Sequence, residues 1–249
     1  MSIKGQLTPD KFGMGMPVHA SPYAYGDLAF TGIKRLVYVY YTDPELAASI
    51  LPSVLELDDK PIANMQFVSY TNSTCGAYTE IIQTLNVSYN GVPGVYAVAL
   101  YVSNDMAMMA REKFGIPKML GFVDFKTEDS NSIVATFDRP AGVMLAQGVF
   151  SAKQYIGEFK EEVDGVSYAL RFLPPLIPGE KPDVCQLVRM ASKTIHGEVW
   201  EGSGTLTYTG RNDEHPLHKL PVVEMIKTIW TPDGKFFMYP SKNEAFPLV

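Results

Sequence analysis

Apolar and polar residues alternate along most of this chain, and that period of two restricts its fold more than any other feature. Leu36 to Tyr41, Ala63 to Tyr70, Ala77 to Ser88, Val95 to Val102, Phe122 to Lys126 and Ile133 to Phe137 all read as strands. So do Val143 to Phe150, Tyr168 to Leu173, Val184 to Met190, Thr194 to Trp200, Thr205 to Tyr208 and Val222 to Thr231. Turn chemistry at Asn90-Gly91, Asp164-Gly165, Pro178-Gly179 and Asp233-Gly234 separates them. A sheet with this many strands leaves long unpaired edges unless it closes. The pattern therefore predicts a mainly β fold: an antiparallel barrel, or a pair of curved sheets, closed or nearly so.

Helices are few. Asp43 can cap a helix with Pro44 at its first position and an apolar stripe of Leu46, Ile50 and Leu51. A second run, Asp105 to Phe114, starts from Ser103 or Asn104, stops at Gly115 and is sealed by Pro117. Gln154 to Lys160 is a third candidate. No repeat, low-complexity tract or linker interrupts the chain, and the Pro-rich stretch Pro174 to Pro182 reads as a loop. Residues 1–249 are expected to form one domain, with 1–21 as an extended N-terminal segment.

Charge and composition narrow the function classes. With 46% apolar and 19% charged residues, a large core is expected and intrinsic disorder is not. A net charge of −6, with Lys34-Arg35 and His218-Lys219 as the only basic pairs, speaks against a phosphate-tracking surface and so against nucleic acid. Met1 to Ala20 carries no apolar run, which predicts neither a secretory signal nor a membrane span. Cys75 and Cys185 are far apart without metal-like spacing and read as reduced thiols. In that setting the sequons at Asn72 and Asn86 carry little meaning, and the expected location is the cytoplasm.

Among chemical motifs, phosphate-binding glycine loops and Gly-x-Ser-x-Gly elbows are absent from the sequence. His215 and His218, next to Asp213 and Glu214, invite a metal reading, but a polar loop before Pro221 accounts for them better because no recognisable ligand set lies nearby. His196 reads as a packed strand residue, and Met106, Met108 and Met109 as core filler on a short helix. Lys118 stands out. It sits in Phe114-Gly115-Ile116-Pro117-Lys118-Met119-Leu120-Gly121-Phe122, whereas lysine normally keeps its ammonium wet. Burial disfavours an ammonium, and a free amine is what Schiff-base chemistry needs. The alternative, a lysine snorkelling from an apolar loop to water, stays open. Tyr78 and Glu80, two apart in a strand, share a face. If that face is the buried one, a phenol and a carboxylate there must be used or paired. If it is the solvated one, they need no explanation.

These segments carry a resemblance. Ala110-Arg111-Glu112-Lys113-Phe114-Gly115-Ile116-Pro117-Lys118 resembles the stretch of acetoacetate decarboxylases in which Gly-Arg-Glu leads into an aromatic-Pro-Lys. Gly76-Ala77-Tyr78-Thr79-Glu80 resembles that family's Tyr-Thr-Glu strand, and Val87-Ser88-Tyr89-Asn90-Gly91 its following hairpin. Tyr41-Thr42-Asp43-Pro44 through Pro52 is similar to its Thr-Asp helix, and short counterparts follow in order as far as Leu220-Pro221-Val222. Acetoacetate decarboxylase is itself the standard instance of a lysine activated by desolvation or a cationic neighbour. The resemblance implies a β cone around the site, assembly into homo-oligomers, Lys118 as the Schiff-base lysine and Glu80 as the proton-handling carboxylate. It implies no cofactor, organic or metallic.

The departures from the family pattern matter too. Met119 stands where the decarboxylases have a second lysine, and Ile33 falls in register with a cavity arginine. Gln66 falls, with a one-residue gap, near a second glutamate. Tyr78, Gln66, Ile33 and Met119 are therefore the expected substrate-binding residues, in a cavity that has lost two cations and is more apolar for it. The expected reaction is decarboxylation of a β-keto acid, more apolar than acetoacetate, through a Lys118 iminium. An aldolase, dehydratase or cyclase reaction on a keto substrate through the same iminium is the second reading. A non-catalytic barrel binding a small carbonyl compound is the third.

Overall fold

The computed structural model describes residues 2–21, 26–128, 132–209 and 213–248. Fourteen strands run through it: β1 (Leu28–Tyr41), β2 (Ile62–Ser73), β3 (Tyr78–Tyr89), β4 (Val92–Val102), β5 (Lys118–Leu120), β6 (Phe122–Glu128) and β7 (Ser132–Asp138) precede β8 (Met144–Phe159), β9 (Val163–Leu173), β10 (Val184–Ile195), β11 (Gly197–Tyr208), β12 (Glu224–Thr231), β13 (Lys235–Met238) and β14 (Glu244–Pro247). Strands β13, β10, β9, β4, β3, β2 and β1 pair in that order, and β13 pairs again with β1, closing a seven-stranded barrel. The sheet continues past β1 through β12, β11, β8, β7 and β6. Closure as expected thus holds, but the barrel is not wholly antiparallel. Strand β9 joins β4 in parallel, Val95 opposite Ser167, and β5 also runs parallel to β4.

Alternation along the barrel strands feeds two cores. Leu36, Tyr38, Tyr40, Met65, Phe67, Ile81, Leu85 and Tyr101 point outward and pack with Phe137, Ala146 and Phe150 of the continuing sheet. Phe30, Ile33, Val68, Tyr70, Tyr78, Leu100 and Met190 point inward. Strands buried on both faces hold polar groups only where something pairs or uses them, and the second core is where the buried charges lie.

Both expected helices form, in shorter versions. Helix α1 (Pro44–Ser49) is capped by Asp43, whose Oδ1 accepts from the Leu46 N–H at 2.9 Å. The second run divides into a 3₁₀ turn, Met106–Met109, and helix α2 (Ala110–Phe114). Asn104 Oδ1 accepts from the Ala107 N–H at 2.8 Å, as a cap should. Gly115 ends α2 at φ +77°, where a Cβ would press on the backbone of Arg171, so only glycine suits that position.

Three sequence expectations are corrected. Gln154 to Lys160 is not helical: β8 runs through to Phe159, and Gln154 pairs with Glu201 and Phe159 with Gly197, so long-range pairing overrides local propensity. Asp164-Gly165 is not a turn but lies inside β9, Gly165 opposite Ser192. His196 does not sit within a strand. It falls at the break between β10 and β11, where Gly197 adopts φ +67° and a side chain would collide with the Asp233 carbonyl.

Candidate active site

The barrel contains an open cavity of about 420 Å³. Along β3, Tyr78, Glu80, Ile82 and Thr84 all face it, as the period of two requires. The buried reading of that face is therefore the correct one. Glu80 stands in the middle of the wall, opposite Val68 of β2 and Val102 of β4. Lys118 reaches the same wall from the other side of the chain. The left-handed stop at Gly115 and the extended step through Ile116 and Pro117 deliver it to β5, opposite Leu100. Its side chain then points inward, and its Nζ lies 3.1 Å from Glu80 Oε1. Lys118 is 8% exposed and Glu80 2%, so the pair is buried rather than snorkelling.

The charge pair is the main difference from an amine enclosed by apolar groups alone. Phe30, Ile82, Leu100 and Ile116 supply apolar walls as anticipated, but the nearest charged neighbour of Lys118 is a carboxylate. A phenol fixes the orientation of that carboxylate: Tyr70 Oη donates to Glu80 Oε2 at 3.0 Å, which leaves Oε1 turned to the amine. Tyr70 and Tyr78 are cross-strand partners with ring centroids 4.5 Å apart, and Lys118 Nζ lies 5.8 Å from the Tyr78 ring centroid. Burial, reinforced by the Glu80 charge, pushes both phenols well above the ordinary tyrosine range, so both remain proton donors. Burial likewise pushes the nearby Cys75 thiol up, and its Sγ contacts Met109 Sδ at 3.8 Å, the position of an inert core thiol.

Gln66 lines the cavity as expected, while Ile33 and Met119 do not. Ile33 faces the barrel interior opposite Tyr70, but it is packed in the apolar core off the cavity wall. Met119 follows Lys118 by one residue in a strand, so it points the other way, into the core between the sheets. The cavity was expected to have lost two cations, yet it keeps a guanidinium. Arg35 lies two residues beyond Ile33 on the same face of β1 and lines the cavity. Burial pulls its pKa down, while Tyr70 and Glu80 pull it up, and its Nε is buried without a hydrogen-bond partner among the described residues.

Sequence reasoning missed Arg35 and Tyr70. Arg35 looked like half of a surface pair with Lys34, yet alternation exposes Lys34 and turns Arg35 inward. Tyr70 ends an expected strand, and nothing local says that it meets Tyr78. His215 lies outside this site. Its Nδ1 is 3.3 Å from Tyr101 Oη, and its Nε2 accepts from Arg139 Nε at 2.8 Å. Among the described residues, no group of three or more His, Cys, Asp or Glu could hold a metal ion, and no helix is long and apolar enough to cross a membrane.

The sequence model of the family described as acetoacetate decarboxylase (ADC) matches residues 15–234. Decarboxylase DEC1 of Cochliobolus heterostrophus is 30% identical over 239 residues, 92% of this chain and 94% of that protein. The acetoacetate decarboxylase of Clostridium botulinum is 29% identical over 218 residues, 85% of this chain and 87% of its own length. In three dimensions, the chain superposes on a solved acetoacetate decarboxylase with a TM-score of 0.84 at 23% identity, covering 98% of this chain and all of the other. It also superposes on MppR, an enduracididine biosynthesis enzyme solved with the condensation product of pyruvate and imidazole 4-carboxaldehyde. That match has a TM-score of 0.76 at 15% identity and covers 98% and 99% of the two chains. Identities this low speak for the fold.

Proposed function

We propose that this chain, which belongs to the acetoacetate decarboxylase family, is a Schiff-base lyase that decarboxylates a β-keto acid through an iminium on Lys118. The observation that carries the proposal is the buried Lys118–Glu80 pair, 3.1 Å apart on the wall of the barrel cavity. A purely structural barrel has no use for a pair whose desolvation costs more than apolar packing would.

The charges on the cavity wall fit a monocarboxylate. Arg35 and Lys118 against Glu80 leave one positive charge among the described lining residues, the complement of a single anionic group. Arg35, with its unpartnered Nε, holds the substrate carboxylate in this reading. Glu80 Oε1 takes a proton from the Lys118 ammonium, and the free Nζ adds to the substrate ketone to give a carbinolamine. The carbinolamine hydroxyl leaves as water, with its proton supplied by Glu80 or by the Tyr78 phenol, and an iminium results. The bond to the carboxylate then breaks. Its electron pair moves to the iminium nitrogen as an enamine forms, and carbon dioxide departs. One proton is taken up from solvent, as loss of carbon dioxide from a carboxylate requires, and restores the group that gave its proton to water; Glu80 then protonates the carbon, and hydrolysis of the new iminium releases the ketone and returns Lys118. Tyr70 positions Glu80 throughout by holding Oε2. A cytoplasmic location, read from the two unpaired cysteines, and assembly as a homo-oligomer, read from the family resemblance, belong to the same proposal; size-exclusion chromatography with light scattering tests the assembly.

Arg35 also favours a second reading. A guanidinium paired with the substrate carboxylate stabilises the ionised ground state that decarboxylation must give up. If the carboxylate stays on Arg35, the same iminium serves aldol, dehydration or cyclisation chemistry without loss of carbon dioxide. Intact-mass analysis after borohydride treatment with a panel of keto acids tests both readings. An adduct on Lys118 that has lost the mass of carbon dioxide supports the first, and one that retains it supports the second. No adduct with any keto acid refutes the iminium.

A further inference from the structure

Lys118 is carried on a short strand. β5 is three residues long, and among the described residues β4 is its one strand partner, running parallel through Leu100, Tyr101 and Val102. A parallel ladder of that length is a weak hold on a nucleophile. At its end the Gly121 N–H donates to the Val102 carbonyl at 3.0 Å. A trans peptide points its C=O away from its N–H, so the Leu120 carbonyl of that same peptide faces the edge of β5 that no described strand covers. Arg139 meets it there: its Nη1 donates to the Leu120 carbonyl. Arg139 directly follows β7, and its own N–H is fixed to the Val143 carbonyl at 2.9 Å. The guanidinium is held in turn. Its Nε donates to His215 Nε2 at 2.8 Å, and its carbon lies 5.7 Å from the centroid of the Tyr101 ring, the residue opposite Met119. A ring nitrogen that accepts carries no proton, so the neutral His215 bears it on Nδ1, which lies 3.3 Å from Tyr101 Oη.

We propose that Arg139 and His215 are positioning residues for Lys118: Arg139 clamps the free edge of β5 through the Leu120 carbonyl, and His215 aims the guanidinium. This rests on the iminium reading above, since the clamp matters to turnover only if Lys118 is the nucleophile. Leu120 is two residues from Lys118 on the same strand, so the backbone carries a shift of one to the other. Neither Arg139 nor His215 lines the cavity. Their loss therefore leaves the substrate's own contacts in place and acts on the approach of Nζ to the ketone, where a misplacement of about 1 Å can cost about a hundredfold.

The test uses the full-length protein and its variants, well below their melting temperatures, with saturating pyruvate, 3-oxobutanoate or 3-oxohexanoate. Borohydride trapping followed by intact mass gives the rate of adduct formation, turnover gives kcat and KM, and hydrogen exchange reports the opening of β5. Arg139→Leu and His215→Leu are expected to slow trapping and kcat by about tenfold or more, with KM within about twofold of wild type. Exchange at residues 118–121 is expected to rise in both. His215→Gln, whose amide can still accept from Arg139 and donate to Tyr101, is expected to recover most of the rate. Wild-type trapping and kcat in Arg139→Leu, whether or not it melts earlier, overturn the clamp and leave the iminium reading standing. Absence of a wild-type adduct with every acid overturns both. If Arg139→Leu does not fold, the pair His215→Leu and His215→Gln decides: equal rates in the two overturn the clamp.

Discussion

Replacing Arg35 by methionine separates its proposed work from its cost to the fold. An unbranched apolar stem is retained while the charge and the unpartnered Nε disappear. In the free protein, burial of that guanidinium outweighs its attraction to Tyr70 and Glu80, which is why its pKa is lowered rather than raised. Glu80 keeps Lys118 at 3.1 Å and Tyr70 at 3.0 Å, so no carboxylate is orphaned. Removing a buried, unsatisfied donor is worth about 1–2 kcal/mol of stability, and for a chain of this size each kcal/mol moves Tm by about 2–4 °C. Arg35→Met is therefore expected to melt several degrees above wild type. Binding should move the opposite way. A charge-assisted hydrogen bond to a carboxylate is worth about 1.5–3 kcal/mol, so KM for keto acids should rise roughly tenfold to a hundredfold. Arg35→Lys, which keeps the charge but loses the planar fork, should fall between the two. The assay is differential scanning calorimetry of the free variants beside steady-state kinetics with a keto acid that borohydride traps on Lys118. A variant that melts below wild type and keeps its KM would refute the assignment of Arg35 as a cation held for the substrate.

Other perturbations probe the remaining groups. Lys118→Ala should abolish covalent trapping and turnover; the fold should persist at lower stability, because a buried carboxylate loses its ion pair. Circular dichroism with intact-mass analysis checks this, and a trapped adduct in the variant would move the chemistry off Lys118. Glu80→Gln keeps the shape and removes the proton carrier, so turnover should slow by roughly a hundredfold or more while trapping survives; pre-steady-state kinetics separates the two steps. Tyr70→Phe frees Glu80 Oε2 and should reduce kcat by about tenfold with little change in KM, since the phenol acts through Glu80 and not on the substrate. Finally, burial and then the Arg35 charge hold His196 below its ordinary pKa of 6.5 in the folded state. Its unfolded form therefore takes up a proton first: stability is fully present above about pH 6.5 and is lost as pH falls below it. Urea unfolding at pH 7.5 and 5.5 should show that loss, and His196→Asn should reduce it.

The strands, their alternation, the Asp43 cap and the Gly115 stop were legible in the sequence because each depends on residues within a few positions of one another. The unusual placement of Lys118 was legible for the same reason: a lysine inside Phe-Gly-Ile-Pro and Met-Leu-Gly-Phe is a local conflict. Alternation also put Tyr78 and Glu80 on one face, although it could not say that the face was buried. Which strands are neighbours is a property of the closed barrel. The register of the β2–β3 hairpin places Val68 opposite Glu80 and Tyr70 opposite Tyr78, and only the parallel entry of β5 beside β4 turns Lys118 inward and Met119 outward. The same closure separates Ile33, packed in the core, from Arg35 on the cavity wall, two residues apart on one face. Pattern fixes which face a residue takes. The curvature of the closed sheet decides where along that face space is left for a ligand, and that curvature is set by pairings between residues far apart in sequence.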